Sequence, residues 1–166
     1  MALKPDRQVN DYDISRFMST TGTRGGIVVA TGSASGSAMD QTTNKVAYAT
    51  TASGYRPIGL LLADVVNVDL TRQILNPNKS EAQINDKVPL MTKGWVVTNM
   101  VATDASTAVV VGGKAYVGHS GYITADADAV DDKGANPTAV DSDILRVGTF
   151  LTTGDEDGYY KVSIDL

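Results

Sequence analysis

The chain has 166 residues and carries 14 basic against 19 acidic side chains, a formal net charge of -5. It contains no cysteine and one histidine, which excludes disulfides, thiol catalysis and a metal site built on several histidines of one chain. An acidic chain is a poor candidate for binding a phosphate backbone, and no apolar run approaches the ~20 residues that span a bilayer. We therefore expect one domain with neither a nucleic-acid partner nor a membrane partner.

The composition favours strands over helices. Valine, threonine and isoleucine together supply 45 of the 166 residues, and 17 of the 19 acidic residues are aspartate. β-Branched side chains pack well on a pleated sheet, and aspartate favours turns, whereas glutamate favours helix surfaces. The sequence therefore predicts an all-β fold, a small β-barrel or sandwich of about ten short strands with an extended N-terminal arm.

The charge is unevenly distributed along the chain. Residues 1–103 hold 10 basic and 8 acidic side chains, a net charge of +2, whereas residues 104–166 hold 4 basic and 11 acidic ones, a net charge of -7. This asymmetry indicates one part of the surface that repels nucleic acid and another that could meet an acidic partner.

Residues 1–24 differ from the rest of the chain and are predicted to form the arm. They show no period-2 alternation, and Ile14, Phe17 and Met18 have the i, i+3, i+4 spacing of one short helical turn. Two interpretations stay open: a frayed terminus, or an arm that becomes ordered against a partner, with Phe17 and Met18 as anchors.

Residues 25–166 are predicted to form the β-body. Short runs rich in β-branched residues, bounded by glycine, proline and asparagine, indicate its strands. These runs are Gly26–Thr31, Lys45–Thr50, Ile58–Val68, Lys87–Thr92, Trp95–Val101, Ala108–Val111, Lys114–Val117, Gly121–Thr124, Ile144–Thr152 and Tyr159–Leu166. Hairpin turns are expected at Lys93-Gly94 and at Gly112-Gly113, and residues 125–143 read as a long acidic loop.

The last two strands carry the clearest pattern. In Tyr159–Leu166 apolar and polar residues alternate, which is typical of a half-buried strand. In Ile144–Thr152 we expect Leu145, Val147 and Leu151 to share one face and Arg146 to take the other.

No motif predicts catalysis, a cofactor or a metal site. His119 lies in a segment, Gly118–Tyr122, that lacks the G-x-S-x-G of a nucleophile elbow and reads as a turn. The aspartates of residues 126–143 and 155–157 lack the spacing of a calcium-binding EF-hand loop. Two alternatives remain: a carbohydrate-binding β-module, calcium-dependent or calcium-independent, that uses Trp95 and the acidic loops, and a hydrolase built on His119.

A series of short motifs in a fixed order carries a resemblance to a known family. The motifs are Arg24–Val29, Arg56–Leu61, Asp86–Val97, Gly112–Val117, Gly121–Thr124, Arg146–Leu151 and Asp157–Val162. Their order resembles that of the head decoration, or capsid cement, proteins of tailed bacteriophages, and the likeness covers roughly residues 24–166. The stretches 32–45 and 125–143 depart from the pattern and read as longer loops.

The resemblance implies a structural virion protein without enzymatic activity. Such a protein would bind the outer surface of an assembled phage head, after synthesis in the host cytoplasm, and clamp neighbouring subunits of the major capsid protein. It would associate with itself, as a homotrimer rather than a dimer. The arm over residues 1–24 would pack on the capsid or on a neighbouring copy, with Arg7, Arg16, Phe17 and Met18 as the expected contact residues.

Overall fold

Among the residues that the structure describes, the regular structure consists of strands and one turn of 3-10 helix at His119–Gly121. The computed structural model describes residues 9–31, 45–48, 56–62, 81–102, 108–126 and 145–166, with the backbone alone described over residues 9–13. Within these ranges the strands are β1 Val9–Met18, β2 Gly22–Thr23, β3 Ile27–Ala30, β4 Lys45–Ala47, β5 Pro57–Leu61, β6 Glu81–Ala82, β7 Lys87–Thr98, β8 Lys114–Val117, β9 Ile123–Thr124, β10 Arg146–Phe150 and β11 Tyr160–Asp165. This architecture confirms the predicted all-β class. In the same ranges no helix has the length and apolar character needed to cross a membrane.

Five strands close into a barrel, here called the first barrel. β1 pairs in parallel with β4, and the circuit then runs antiparallel through β3, β5 and β7 back to β1. Each of these strands and β6 contributes to one buried cluster, which consists of Met18, Val28, Val46, Leu61, Ala82, Val88 and Leu90. Because the barrel is closed, each of the five strands is paired on both edges over at least part of its length. This removes long open strand edges, which promote aggregation.

The other strands form a second ring that starts from the same β7. β11, β10, β8 and β9 follow in order from the far part of β7. The chain just after β7 returns to meet β9: Ile123 N donates to Met100 O at 2.9 Å, and Ala102 N donates to Ile123 O at 2.8 Å. This ring covers a larger core around Phe150, whose ring meets that of Tyr160 edge to face with centroids 6.2 Å apart.

β3, β5 and β7 form a wall between the two cores. Consecutive residues on each of these strands point to opposite faces, as the pleat requires. In the pairs Ile27/Val28, Leu60/Leu61 and Met91/Leu90 the first residue is buried in the core of the second ring and the other in the first barrel. Burial on both faces explains why these segments are continuous apolar runs instead of alternating ones.

The hairpin expected at Lys93-Gly94 is wrong. Lys87–Thr98 is one continuous strand, and Gly94 lies in its middle with a φ of 140°. Both edges are occupied there, because Gly94 pairs with Asn10 on one side and Ile164 on the other. Pairing with two partner strands therefore outweighs the local preference for a turn. Glycine can adopt the positive φ that the backbone has at this position, next to an irregularity in the pairing with β1.

The helical turn expected around Ile14, Phe17 and Met18 is also wrong. These residues lie in β1, which is antiparallel to β7 from Val9 to Phe17. Ile14 packs against the core of the first barrel and Met18 is buried in it, so the i, i+4 spacing reflects a strand face of period 2. Of the predicted arm, residues 1–24, the stretch Val9–Met18 is thus paired with the body in this structure, and residues 1–8 lie outside the described ranges.

The C-terminal hairpin is confirmed, with a shift in which side chains are buried. In β11, Val162 and Ile164 are buried as the alternation predicts. In the β10 segment Val147 is buried, but Leu145 and Leu151 are each 40% exposed. An irregularity in the β10–β8 register between Arg146 and Gly148 breaks the alternation, which accounts for the wrong face assignment of the two leucines.

The remaining sequence expectations have mixed outcomes. Gly112-Gly113 does form a turn, in which Gly113 N donates to Val110 O at 3.0 Å, but residues 108–110 are not a strand. The acidic loop expected over residues 125–143 lies outside the described ranges except for its first two residues.

Candidate contact surfaces

Phe17 lies on the outer face of β1 between two lysines. The strand register puts Lys45 of β4 opposite Phe17 on one side and Lys87 of β7 opposite it on the other. Directly opposed residues share one face of a sheet, and Phe17 is only half-buried. We call this surface, Phe17 with Lys45 and Lys87, the Phe17 patch. An aromatic ring flanked by two ammonium groups suits contact with an apolar and acidic partner surface.

The other expected arm residues do not lie on this patch. Met18 is 0% exposed and packs in the core of the first barrel, so as a contact residue it is corrected to a core residue. Arg16 is half-buried and shares the inner face of β1, opposite the buried Val88. Arg7 lies outside the described residues. The pleat thus separates neighbouring residues that the sequence analysis grouped together.

The outer sheet face of the second ring is basic. Nζ of Lys161 lies 3.6 Å from the centroid of the Trp95 ring, which is a cation–π contact. Arg146 donates from Nη2 to Oγ1 of Thr149 at 2.7 Å, and Lys114 lies opposite Thr149 on β8. Three cations therefore share this face despite the net acidity of the C-terminal part. The ammonium also covers the Trp95 ring face that a sugar would stack on, so the contact gives no support to a carbohydrate site.

One acidic residue of the β10–β11 turn, Asp155, stabilises the turn itself. Oδ1 of Asp155 accepts hydrogen bonds from the backbone N of Asp157 at 3.1 Å and of Tyr159 at 2.7 Å. Such Asx-type bonds hold a tight turn. Over the ranges that the structure describes, no three His, Cys, Asp or Glu side chains come together in a way that could hold a metal ion.

Exposed valines mark one end of the second ring. Val110 is 57% and Val111 is 66% exposed, and they lie in the turn before β8. The turn is fixed to β10, because Gly112 N donates to Phe150 O at 2.8 Å. Leu151, 40% exposed, follows Phe150 directly. We call these three residues the valine end; apolar side chains presented on an anchored turn are typical of protein contact surfaces.

His119 belongs to a backbone turn between β8 and β9. Its carbonyl oxygen accepts a hydrogen bond from Tyr122 N at 3.0 Å, and Gly118 N donates to Tyr122 O at 2.7 Å. The structure thus agrees with the sequence in placing His119 at a turn.

Comparison with protein families identifies the family of this chain. A family model described as structural cement protein (E217 gp24/Pam3 gp6) matches residues 8–165. The chain belongs to the phage structural cement protein family. A search of curated proteins gave no match. The matched region runs from just before β1 to the end of β11, so in this cement protein it spans both rings and the strand that the sequence analysis assigned to an arm.

Family membership confirms the resemblance seen in the order of motifs. It assigns this cement protein a structural role in the phage capsid and places it with the virion. Sequence reasoning missed the Phe17 patch as a group, because Lys45 and Lys87 are distant in sequence from Phe17 and from each other. Only the register of three strands brings them together.

Proposed function

We propose that this cement protein binds the outer surface of an assembled phage head and clamps neighbouring subunits of the major capsid protein. The observation that carries the proposal is the family match over residues 8–165. A clamp needs a body that does not deform, and two cores joined by a shared wall of strands supply one. Modest contacts suffice, because many copies engage one lattice and several contacts act together.

The Phe17 patch is the contact surface that we assign to the capsid. It combines an aromatic side chain with two cations, whereas its strand is held on both edges by β4 and β7. Residues fixed by a paired strand lose little conformational entropy on binding, which favours affinity. Arg7 and Arg16 remain proposed as additional contacts, although Arg16 lies on the face of β1 opposite to the Phe17 patch. An acidic, apolar groove on the capsid subunit would complement this surface.

We further propose that the protein acts as a homotrimer and has no catalytic residue, cofactor or metal. The valine end supports self-association, because Val110, Val111 and Leu151 are apolar, exposed and anchored. Light scattering on the purified protein tests this: a mass of three chains is expected, and a monomer at all concentrations would contradict it.

The capsid contact is tested by sedimentation of the protein with shells that lack it. We expect Phe17→Ala to weaken shell binding by about tenfold, within the range for an aromatic contact residue. Lys87→Glu should weaken binding by a similar factor through charge reversal. Phe17→Leu, which keeps an apolar side chain, should retain most of the binding.

Leu145→Ala is the matched control on the other ring. It removes an exposed apolar side chain that lies just before β10, outside both the Phe17 patch and the valine end, and should leave shell binding unchanged. If Phe17→Ala and Lys87→Glu sedimented with shells as well as the wild type does, the Phe17 patch would not be part of the capsid contact. Failure of the wild type to sediment with shells would overturn the clamp itself.

A further inference from the structure

An open cleft lies between the two rings, apart from the Phe17 patch and the valine end. It has a volume of about 310 Å³ and is lined by residues from both parts of the molecule. Thr23 of β2 and Glu81 of β6 form one side, and Met100, Ser120 and Tyr122 form the other, with Tyr48 between them. The cleft thus lies where the small β2–β6 ribbon of the first barrel faces the β8–β9 turn of the second ring.

The ring of Tyr48 is a fixed wall of this cleft. A Cβ on Gly22 would lie 2.8 Å from the Tyr48 ring, and one on Gly121 would lie 2.4 Å from it. Glycine at these positions lets backbone from both rings approach the aromatic side chain. The Tyr48 hydroxyl donates to the Thr23 carbonyl oxygen, which fixes the orientation of the ring. Burial raises the pKa of Tyr48 above its ordinary value, so the phenol stays neutral at physiological pH.

The chemistry of the lining is that of a cation acceptor. Glu81 supplies an exposed carboxylate, Tyr48 and Tyr122 supply aromatic rings, and Thr23 and Ser120 supply hydroxyl oxygens. The described residues that line the cleft include no lysine, arginine or histidine. Arg24 lies close to Tyr48 but is buried, and its Nη1 donates to the Leu62 carbonyl oxygen at 2.9 Å.

We propose that this cleft binds the side chain of an arginine that a partner polypeptide in the capsid inserts between Tyr48, Tyr122 and Glu81. A guanidinium is planar, stacks on aromatic rings and donates several hydrogen bonds, so it uses all three kinds of group present. Its aliphatic stem would contact Met100, which is only 7% exposed. The inference rests on the proposed function for the identity of the partner, and on the cleft alone for the chemistry of the ligand.

The chemistry is tested on the full chain without any capsid. We titrate isotope-labelled protein with N-acetyl-arginine methylamide and follow the backbone amides of Gly22, Thr23, Ser120 and Tyr122 by NMR. The matched probe is N-acetyl-citrulline methylamide, which has the same shape without the charge. Saturable shifts at these amides are expected with the arginine probe, and an affinity at least about tenfold lower with citrulline.

Substitutions test whether the arginine probe binds in this cleft or at another acidic part of the surface. Glu81→Gln should weaken arginine binding by roughly tenfold, and Tyr122→Ala should weaken it by about fivefold. Glu156→Gln, which neutralises an exposed carboxylate in the β10–β11 turn, should leave the affinity unchanged. Equal affinity for the two probes, shifts centred on the β10–β11 turn, or tighter binding of the corresponding lysine probe would each overturn the assignment.

The capsid partner is tested separately by sedimentation with shells. Glu81→Gln should lower shell binding several-fold while Glu156→Gln does not, and equal binding of the two variants would overturn the role of the cleft in the capsid. If the arginine probe binds but the wild type does not sediment with shells, the proposed clamp function fails and the arginine site stands.

Discussion

The two rings of this cement protein are stabilised in different ways. The first barrel is closed by its N-terminal strand, β1, which meets β4 in parallel and β7 antiparallel. The second ring is built on the β10–β11 hairpin and closes through the bridge between Val101 and Ile123. Both rings therefore use a strand pair far apart in sequence, β1–β7 in the first barrel and β7–β11 in the second ring, but the second ring also contains the closely packed local hairpin β10–β11.

The sharpest way to break the second ring is Gly148→Val. A Cβ at Gly148 would lie 1.8 Å from the backbone oxygen of Ser163, on the adjacent strand β11. Because backbone of a central strand would have to move, we expect a loss of about 4 kcal/mol or more in the free energy of unfolding, measured by chemical denaturation. Thr149→Ala, on the outer face beside it, should cost only about 1 kcal/mol. A stable Gly148→Val variant would show that β10 and β11 are not packed this closely.

Met18→Ala tests the first barrel in the same way. Met18 is fully buried in the core, so truncation should reduce the free energy of unfolding by about 3 kcal/mol. Phe17→Ala, one residue away on the outer face, should cost no more than about 1 kcal/mol while it weakens shell binding. The reverse order of stabilities would mean that β1 presents its faces the other way round.

Tyr48→Phe probes the junction between the rings. The ring stays in place, but the Thr23 carbonyl oxygen loses its hydroxyl donor. We expect a loss of about 1 kcal/mol in the free energy of unfolding. Because Tyr48 contacts glycines of both rings, thermal unfolding should remain a single transition that shifts as a whole. Two separate transitions would show that the rings unfold independently.

Lys161→Gln has the smallest expected effect. It removes the cation over Trp95 at the surface, which should cost less than about 1 kcal/mol. The change should appear more clearly in the fluorescence of Trp95, the one tryptophan of the chain. An unchanged spectrum would show that the ammonium does not rest on the ring in solution.

The sequence predicts the β-body well where local patterns decide the structure. The alternation in Tyr159–Leu166 and the glycines at 112 and 113 locate β11 and the turn before β8, because both signals act over a few residues. The wall strands β3 and β5 are also found, since apolar runs such as Ile58–Leu62 exceed what a half-buried strand would carry, whereas the third wall strand, β7, was predicted as two strands. Their apolar character on both faces was the visible sign that two cores exist.

The errors arise where distant partners override local preference. The local sequence predicts a turn at Gly94, but in the structure Gly94 pairs with Asn10 on one neighbouring strand and with Ile164 on the other. Ile14 and Met18 read as a helical turn because residues four apart also share a strand face. The cleft could not be predicted at all, because Thr23, Tyr48, Glu81 and Tyr122 come together only after both rings have formed.

The way in which the first barrel closes has a consequence for how the protein is made. β1 leaves the ribosome before the other described strands, but its partner β7 ends only at Thr98, 80 residues after Met18. Contacts of such long range are slow to form, because the intervening loop must be closed before they contribute. During synthesis β1 therefore waits with its hydrogen-bonding groups open, and we expect prompt translation through β7 to protect the nascent chain from aggregation.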